Sequence, residues 1–428
     1  MMMKGFLLTK LIQPFFSVIG MAQDFVGSNN LNLLVPSGQF GTRLTGGEDA
    51  ASPRYIFTYL SPLTRYLFPE DDDILLEYLE DDGQFIEPQH YFPIIPLLLV
   101  NGSQGIGTGW STNIPSHDPI SVLDYIRSKL DQRSSCPQIE PHARGFVGTI
   151  DRTEDGSAYV TSGKIKQVDN KTVFISELPV GVWTSSYKAH LLRMQSKGEI
   201  IDFIEDHTTT SVAFTVRMKP SQLGRMKKTG LHKAFRLTSK LQLTNMNAFD
   251  ENGKIHKFHS PEAIADAYFP HRLGLYHDRK SVLKSRLEHK TAMLQNKARF
   301  IMMVSNGEIE IVGGKTTKEA TTEILKQAGF MNADELQKMK MGVLENSSDE
   351  DSDEGATDSI SDDGNDKDTA GGGNYDYLLN MPISSLTTER IEHLNDEATE
   401  TQSQLNDITK TKPEELWLSD LDKLSSVL

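Results

Sequence analysis

Two stretches near the end of the chain carry the same seven-residue apolar repeat, and neither can stand alone. Leu287, Leu294 and Ile301 recur at a spacing of seven with Leu283 and Ala298 beside them, and Ile391, Ala398 and Leu405 do the same with Leu394, Thr401 and Ile408 in the companion position. A helix with so narrow an apolar stripe buries it against another helix. The pattern therefore predicts two long helices that pair with each other. Pro270 precedes the first seam and predicts a kink or a later helix start there, because proline removes an intrahelical hydrogen bond and crowds the preceding turn.

Between the seams, Glu345–Gly373 is rich in Ser, Asp, Glu and Gly and almost free of apolar residues, a composition expected to stay disordered. Ser347, Ser348 and Ser352 are followed by acids, as acid-directed kinases prefer, and phosphorylation would deepen the negative charge. This stretch carries ten of the chain's fifteen net negative charges, so the rest of the chain is close to neutral. A basic stripe on one face thus remains open to it, and phosphate contacts follow the local field rather than the total. One cysteine, Cys136, excludes an intrachain disulfide and a cysteine-based zinc site and suits a reducing compartment. No run reaches the roughly 20 apolar residues that span a bilayer.

Upstream, the chain mixes strands and helices. Gly145–Ile150, Thr172–Ser176 and Ser211–Val216 alternate as half-buried strands do. Arg217, Lys219, Arg225, Lys227, Lys228, Lys233, Arg236 and Lys240 place eight positive charges within 24 positions, either an ordinary solvated surface or a flank for a polyanion. His256 and His259 lack nearby carboxylate or thiol companions, which argues against a metal role, and Glu70-Asp71-Asp72-Asp73 reads as an exposed acidic turn rather than a metal site.

Two glycine-rich stretches remain. Asn101-Gly102-Ser103-Gln104-Gly105-Ile106-Gly107-Thr108-Gly109-Trp110 lacks the Lys-Ser/Thr of a phosphate-binding loop and the spacing of a dinucleotide fingerprint. Its glycines permit close backbone approach while Ile106 projects; the alternative is a core isoleucine in a tight turn. Earlier, Gly38-Gln39-Phe40-Gly41-Thr42-Arg43 precedes Ala51-Ser52-Pro53-Arg54-Tyr55-Ile56-Phe57-Thr58, which can bring a phenol and a guanidinium to one phosphate. Ser52 as N-cap and Pro53 at the first helical position predict a helix opening at Tyr55 and running through Ile56, Phe57, Leu60, Leu63 and Leu67. Its first turn would favour an approaching phosphate.

Taken in order, Asp24–Leu34, GQFGTRLTGG, ASPRYIFT, NGSQGIGTGW, Glu177-Leu178-Pro179-Val180 and Gly230–Phe235 resemble the breakage-reunion region of eukaryotic type IIA DNA topoisomerase (topoisomerase II). The resemblance implies an α+β fold with a partial winged-helix domain, a mixed α/β tower domain, and a long antiparallel coiled-coil arm ending in a helical exit-gate domain. It divides the chain into an atypical extension (1–14), the partial winged helix (15–84), the tower (85–260), the first part of the arm and exit gate (261–344), the acidic insert (345–373), and the remaining exit gate with its returning helix (374–428).

The same resemblance assigns Tyr55 as the nucleophile that forms a 5'-phosphotyrosyl link and Arg54 as the stabiliser of the transition-state phosphorus. It makes Ile106 the intercalating wedge that bends DNA, with Gln39, Arg43, Lys227, Lys228 and Lys233 as further DNA contacts. A phenol ionises only near pH 10 in water, so a base, a metal-bound hydroxide or positive charge must assist it. Mg2+ and ATP are implied as cofactors, held by Toprim and ATPase regions that this sequence does not carry, and no metal site is expected in the chain itself. The implied partners are double-stranded DNA and a second copy through the exit gate, with nuclear location and no membrane. The segment before Phe15 departs from the family's pattern, in which a His-Gly-Glu stretch is expected, so the start looks truncated. Two readings follow: the breakage-reunion part of an ATP-dependent topoisomerase that relaxes and decatenates DNA, or a non-catalytic DNA-binding and dimerising remnant.

Overall fold

The computed structural model describes residues 15–81, 83–250, 253–309, 318–341, 375–382 and 387–428. The extension 1–14 and the acidic insert 345–373 lie outside the described residues. The chain forms two compact units, one of residues 1–70, 91–272 and 417–428 and the other of 71–90 and 273–416.

In the first unit, one core lies under a four-stranded antiparallel sheet ordered Asp202–Glu205, Phe214–Arg217, Thr172–Glu177, Lys164–Gln167. Along Thr172–Glu177 every second residue is buried, which turns Val173, Ile175 and Glu177 inward. The helix Thr184–Ser196 lays Tyr187, Leu191 and Met194 on that face, at the spacing of one helical side. A three-stranded sheet, Thr238–Gln242, Ala158–Ser162, Thr149–Arg152, stands in the same unit. Regular pairing thus starts at Thr149 and Phe214, later than the alternation of Gly145–Ile150 and Ser211–Val216 predicts. Trp417 closes the unit from the chain's end: it is buried, stacks on Phe269 at 5.1 Å, and donates from Nε1 to the Ile94 carbonyl at 3.0 Å.

The second unit holds the two seams. Leu294, Ala298 and Ile301 pack with Leu394 and Ala398, and Lys280 Nζ donates to the Thr409 carbonyl at 3.1 Å. As one number rises the other falls, so the helices run antiparallel, as the resemblance implied. The first of them spans Pro261–Ser305 without a break at Pro270, which corrects the expectation of a later start. At the far end of the seam a small cluster of Phe300, Ile309, Leu325, Phe330, Tyr375 and Leu378 encloses the Tyr375 hydroxyl, which donates to the Phe330 carbonyl.

The acidic turn also differs from its expectation. Glu70–Leu75 is a 3-10 turn, and Asp72 within it is buried, accepting from Arg279 Nε at 2.8 Å. A buried carboxylate survives only with a partner, and here the long helix supplies one 207 positions away.

His117 shows the same logic for a neutral group. It is fully buried, bonds the Leu99 carbonyl through Nδ1 at 3.1 Å, and meets the Tyr159 ring edge-on. Burial disfavours the imidazolium and holds its pKa below the ordinary 6.5. The unfolded chain therefore binds this proton more readily, and the stability that the neutral imidazole contributes is lost as pH falls below about 6.5. Between pH 7.5 and 5.5 the wild type should lose more stability than His117→Gln in urea unfolding. Parallel pH profiles for the two proteins would contradict it.

Candidate nucleic-acid interface and nucleophile

The predicted helix at Tyr55 is not formed. Pro53–Tyr55 makes a single 3-10 turn, Ser52 gives no side-chain cap, and the chain leaves at once into the strand Phe57–Leu60. That strand pairs antiparallel with Leu34–Ser37, from Leu34 opposite Leu60 to Ser37 opposite Phe57. Two features of the sequence decide it. Ile56–Tyr59 is a run of β-branched and aromatic residues, and Pro62 in a helix over 56–67 would remove the bond to the Thr58 carbonyl and clash with it. No helix dipole is therefore available to Tyr55.

What the local fold supplies instead is exposure and a neighbouring cation. Ile56 turns inward against the cluster of Ile19, Ala22 and Phe40. Its neighbour Tyr55 consequently faces out, 67% exposed. Arg54 is exposed too, its guanidinium carbon 4.9 Å from the centre of the Tyr55 ring. A phosphate arriving at the phenol would meet that guanidinium, which can exchange its weak contact with the ring for a charge-assisted hydrogen bond. Beside Arg54 lies a groove of about 900 Å3 walled by Phe15, Phe16, Ile19 and Pro53.

The glycine-rich turn ahead of Tyr55 is a tightly wound support. Gly41 has φ +99°, and a Cβ there would meet the Gly47 Cα at 2.6 Å; Gly46, at φ +74°, lies against the Trp183 ring, 2.3 Å from where its Cβ would be. Only glycine fits either place. Asp49 ties the coil together, accepting from Thr42 N at 2.8 Å and from the Thr42 and Thr45 hydroxyls at 2.6 Å each. Its partial burial works against the charge, but the Thr42 and Thr45 hydrogen bonds outweigh that and hold its pKa below the usual carboxylate value. Gln39, expected at DNA, is exposed and donates from its side chain to Asp49, while its carbonyl accepts from Ala51 N.

Arg43 requires a correction. It is buried and pairs with Glu177, whose carboxylate also accepts from Val147 N and Leu178 N. A guanidinium enclosed in this way binds the inward end of a sheet strand rather than DNA. Glu177 stood out only as part of the Glu177-Leu178-Pro179-Val180 stretch and Asp49 not at all, because the partner of each is fixed only by the fold.

Ile106 stands at the other extreme. Ser103–Gly107 and Trp110–Ile114 form a hairpin in which Ile106 pairs with Ser111 near the turn, and its side chain is 95% exposed. A core isoleucine is thereby excluded. The hairpin is rigidly footed. Asn101 exchanges two hydrogen bonds with the Leu31 backbone, each 2.9 Å, while Asn30 donates to the carbonyls of Val100, His117 and His142 and accepts from Arg144 N. The segment so clamped leads directly into Leu34–Ser37, the strand that pairs beside Tyr55. Lys227, Lys228 and Lys233 are all exposed, the first two in the last turn of the helix Pro220–Thr229. Among the described residues no three His, Cys, Asp or Glu side chains come together as metal ligands do, and no helix is long and apolar enough to cross a membrane.

Residues 16–422 match the family model that describes the A-type subunit of DNA gyrase/topoisomerase IV. The chain is 41% identical over 419 residues to DNA topoisomerase 2 of Arabidopsis thaliana, covering 96% of this chain and 28% of that protein. It is 42% identical over 411 residues to DNA topoisomerase 2-alpha of Gallus gallus, covering 95% and 26%. The chain thus spans about a quarter of the length of these curated relatives. The crystal structure of the Plasmodium falciparum topoisomerase II DNA-binding, cleavage and re-ligation domain superposes with a TM-score of 0.81 at 36% identity, over 96% of this chain and 54% of that one.

Proposed function

The chain belongs to the DNA gyrase/topoisomerase IV family, in its eukaryotic topoisomerase 2 branch, and from that premise we propose that it is the DNA breakage-reunion part of a type II topoisomerase. The observation that carries the reading is the exposed Arg54–Tyr55 pair set beside the strand Leu34–Ser37, into which the clamped segment Asn30–Leu31 leads. In this reading the Tyr55 phenolic oxygen attacks a backbone phosphorus and the bond to the 3'-oxygen breaks. The phosphate passes to the tyrosine as a 5'-phosphotyrosyl ester, and the 3'-oxygen takes up a proton. Reversal reseals the strand, and since one phosphodiester is exchanged for another the step needs no ATP. Arg54 offsets the extra negative charge of the five-coordinate phosphorus, where a fixed cation is most effective.

Mg2+ and ATP dependence belong, in this proposal, to the complete enzyme. The described residues present no ligand set for a metal, so no step is assigned to one here. The proposal extends to strand passage and supercoil relaxation in the nucleus, to dimerisation through the helical tip of the second unit, and to the six-part domain division given above. Lys227, Lys228 and Lys233 serve as backbone-phosphate contacts along a bent duplex.

Ile106 acts as the wedge. An apolar side chain pushed between base pairs costs a few kcal/mol of unstacking and is repaid by the contacts that bent DNA makes. Ile106→Ala should therefore reduce the bend of a bound duplex, measured by fluorescence transfer between its ends, with a smaller loss of affinity. An unchanged bend would refute the wedge.

A further inference from the structure

The wedge hairpin does not stand alone, and the strand beside it carries a second exposed apolar side chain on the same face. Ile106 pairs with Ser111 and Gln104 with Asn113, so these four side chains share one face of the hairpin. The strand Met246–Phe249 lies against its outer edge. Asn113 N donates to the Asn245 carbonyl at 2.8 Å, and Asn245 Nδ2 reaches the Ser111 hydroxyl at 3.0 Å. Asn247 Nδ2 bonds both the Ser111 carbonyl and Asn245 Oδ1.

As the numbers rise along this strand they fall along Trp110–Ile114. Phe249, two residues beyond Asn247, therefore lies toward the turn at which the hairpin presents Ile106, and period-two alternation puts it on the face of Asn247. It is 71% exposed. The outermost strand, Ile255–Phe258, sets Ile255 opposite Phe249 and Lys257 opposite Asn247, extending that face with an apolar and a cationic residue. Lys254, His256 and Lys257 are exposed, and the nearby Asp250 carboxylate accepts from Lys254 N within the turn.

We propose that this face is a minor-groove contact strip, in which Phe249 makes a second apolar contact on the DNA beside the Ile106 wedge and the Gln104, Asn113 and Lys257 side chains engage groove edges and phosphate. The inference rests on the reading of Ile106 as a wedge. The occupant follows from chemistry. Amides suit the acceptor-rich floor of the minor groove, apolar wedges enter base steps from that side, and a face that carries Lys257 beside its amides matches a polyanion. A protein partner would leave the amide row facing groups of no fixed pattern; DNA supplies one acceptor set at every base pair.

The test uses the 428-residue chain and a fluorophore-labelled duplex at fixed salt, with bend and affinity read for wild type, Ile106→Ala, Phe249→Ala and Phe249→Leu. Phe249→Ala should weaken binding on the order of tenfold and reduce the bend, while Phe249→Leu should retain most of both. Inosine in place of guanine removes the minor-groove amino group and should change wild-type affinity near the bend centre, whereas 7-deazaguanine, altered only in the major groove, should not. Wild-type binding by Phe249→Ala together with a lost bend in Ile106→Ala would overturn the strip and leave the wedge standing. Sensitivity to 7-deazaguanine alone would likewise overturn it. If neither alanine variant alters the bend, the wedge reading itself fails.

Discussion

Tyr55→Phe should abolish covalent protein–DNA adducts while leaving the fold and DNA affinity intact. The side chain is exposed, and its ring meets the Arg54 guanidinium, so loss of one hydroxyl removes the nucleophile and little else. The expected effect is a fall in adduct yield of at least about a thousandfold, since no other group replaces a covalent nucleophile. The measurement is denaturing electrophoresis of a duplex whose scissile 3'-oxygen is replaced by sulfur. A thiolate leaves more readily than an alkoxide, so departure needs less assistance and the adduct accumulates. Arg54→Ala should bind the same duplex but form adduct more slowly, by about 10²–10³-fold if it stabilises the transition state as preorganised donors do elsewhere. Adduct formation by Tyr55→Phe at the wild-type rate would exclude the residue.

The second large effect concerns stability. Arg43→Met leaves Glu177 buried without its cation, and breaking one side of such a pair typically costs about 3–5 kcal/mol. The double variant Arg43→Met/Glu177→Gln should recover part of that loss, because the uncompensated charge is gone; urea unfolding of the two variants against wild type checks it. The outcome also separates two roles. A phosphate-contacting arginine would leave stability unchanged on substitution and lower the salt dependence of DNA binding by about one unit of slope. Destabilisation with an unaltered slope is the expected result.

These cases show what could be read from sequence. The paired helices were legible because a seven-residue repeat states its own partner: Leu294, Ala298 and Ile301 meet Leu394 and Ala398. At Ile106 the flanking glycines left a projecting side chain and a core isoleucine both open, and it was the family resemblance that favoured projection, with which its exposure agrees. The helix through Tyr55 failed because cap signals at Ser52 and Pro53 were weighed above the aromatic run that follows and Pro62. Arg43 was misplaced for a different reason. Its partner Glu177 lies 134 positions away, and Asp72 finds Arg279 at a separation of 207. Charge in a surface-like motif says nothing of burial until the tertiary fold brings the counter-charge. The strand that buttresses the wedge hairpin was hidden likewise, because Asn245 and Asn247 show their purpose only beside Ser111.

The most direct measurement is to map the residue that carries the DNA. Adduct trapped on the sulfur-substituted duplex would be digested with nuclease and trypsin, which cleaves after Arg54 and Arg65 and yields a peptide beginning at Tyr55 and containing Tyr59. Fragmentation should place the nucleotide on Tyr55. A nucleotide on Tyr59, or on a peptide from elsewhere in the chain, would contradict the account.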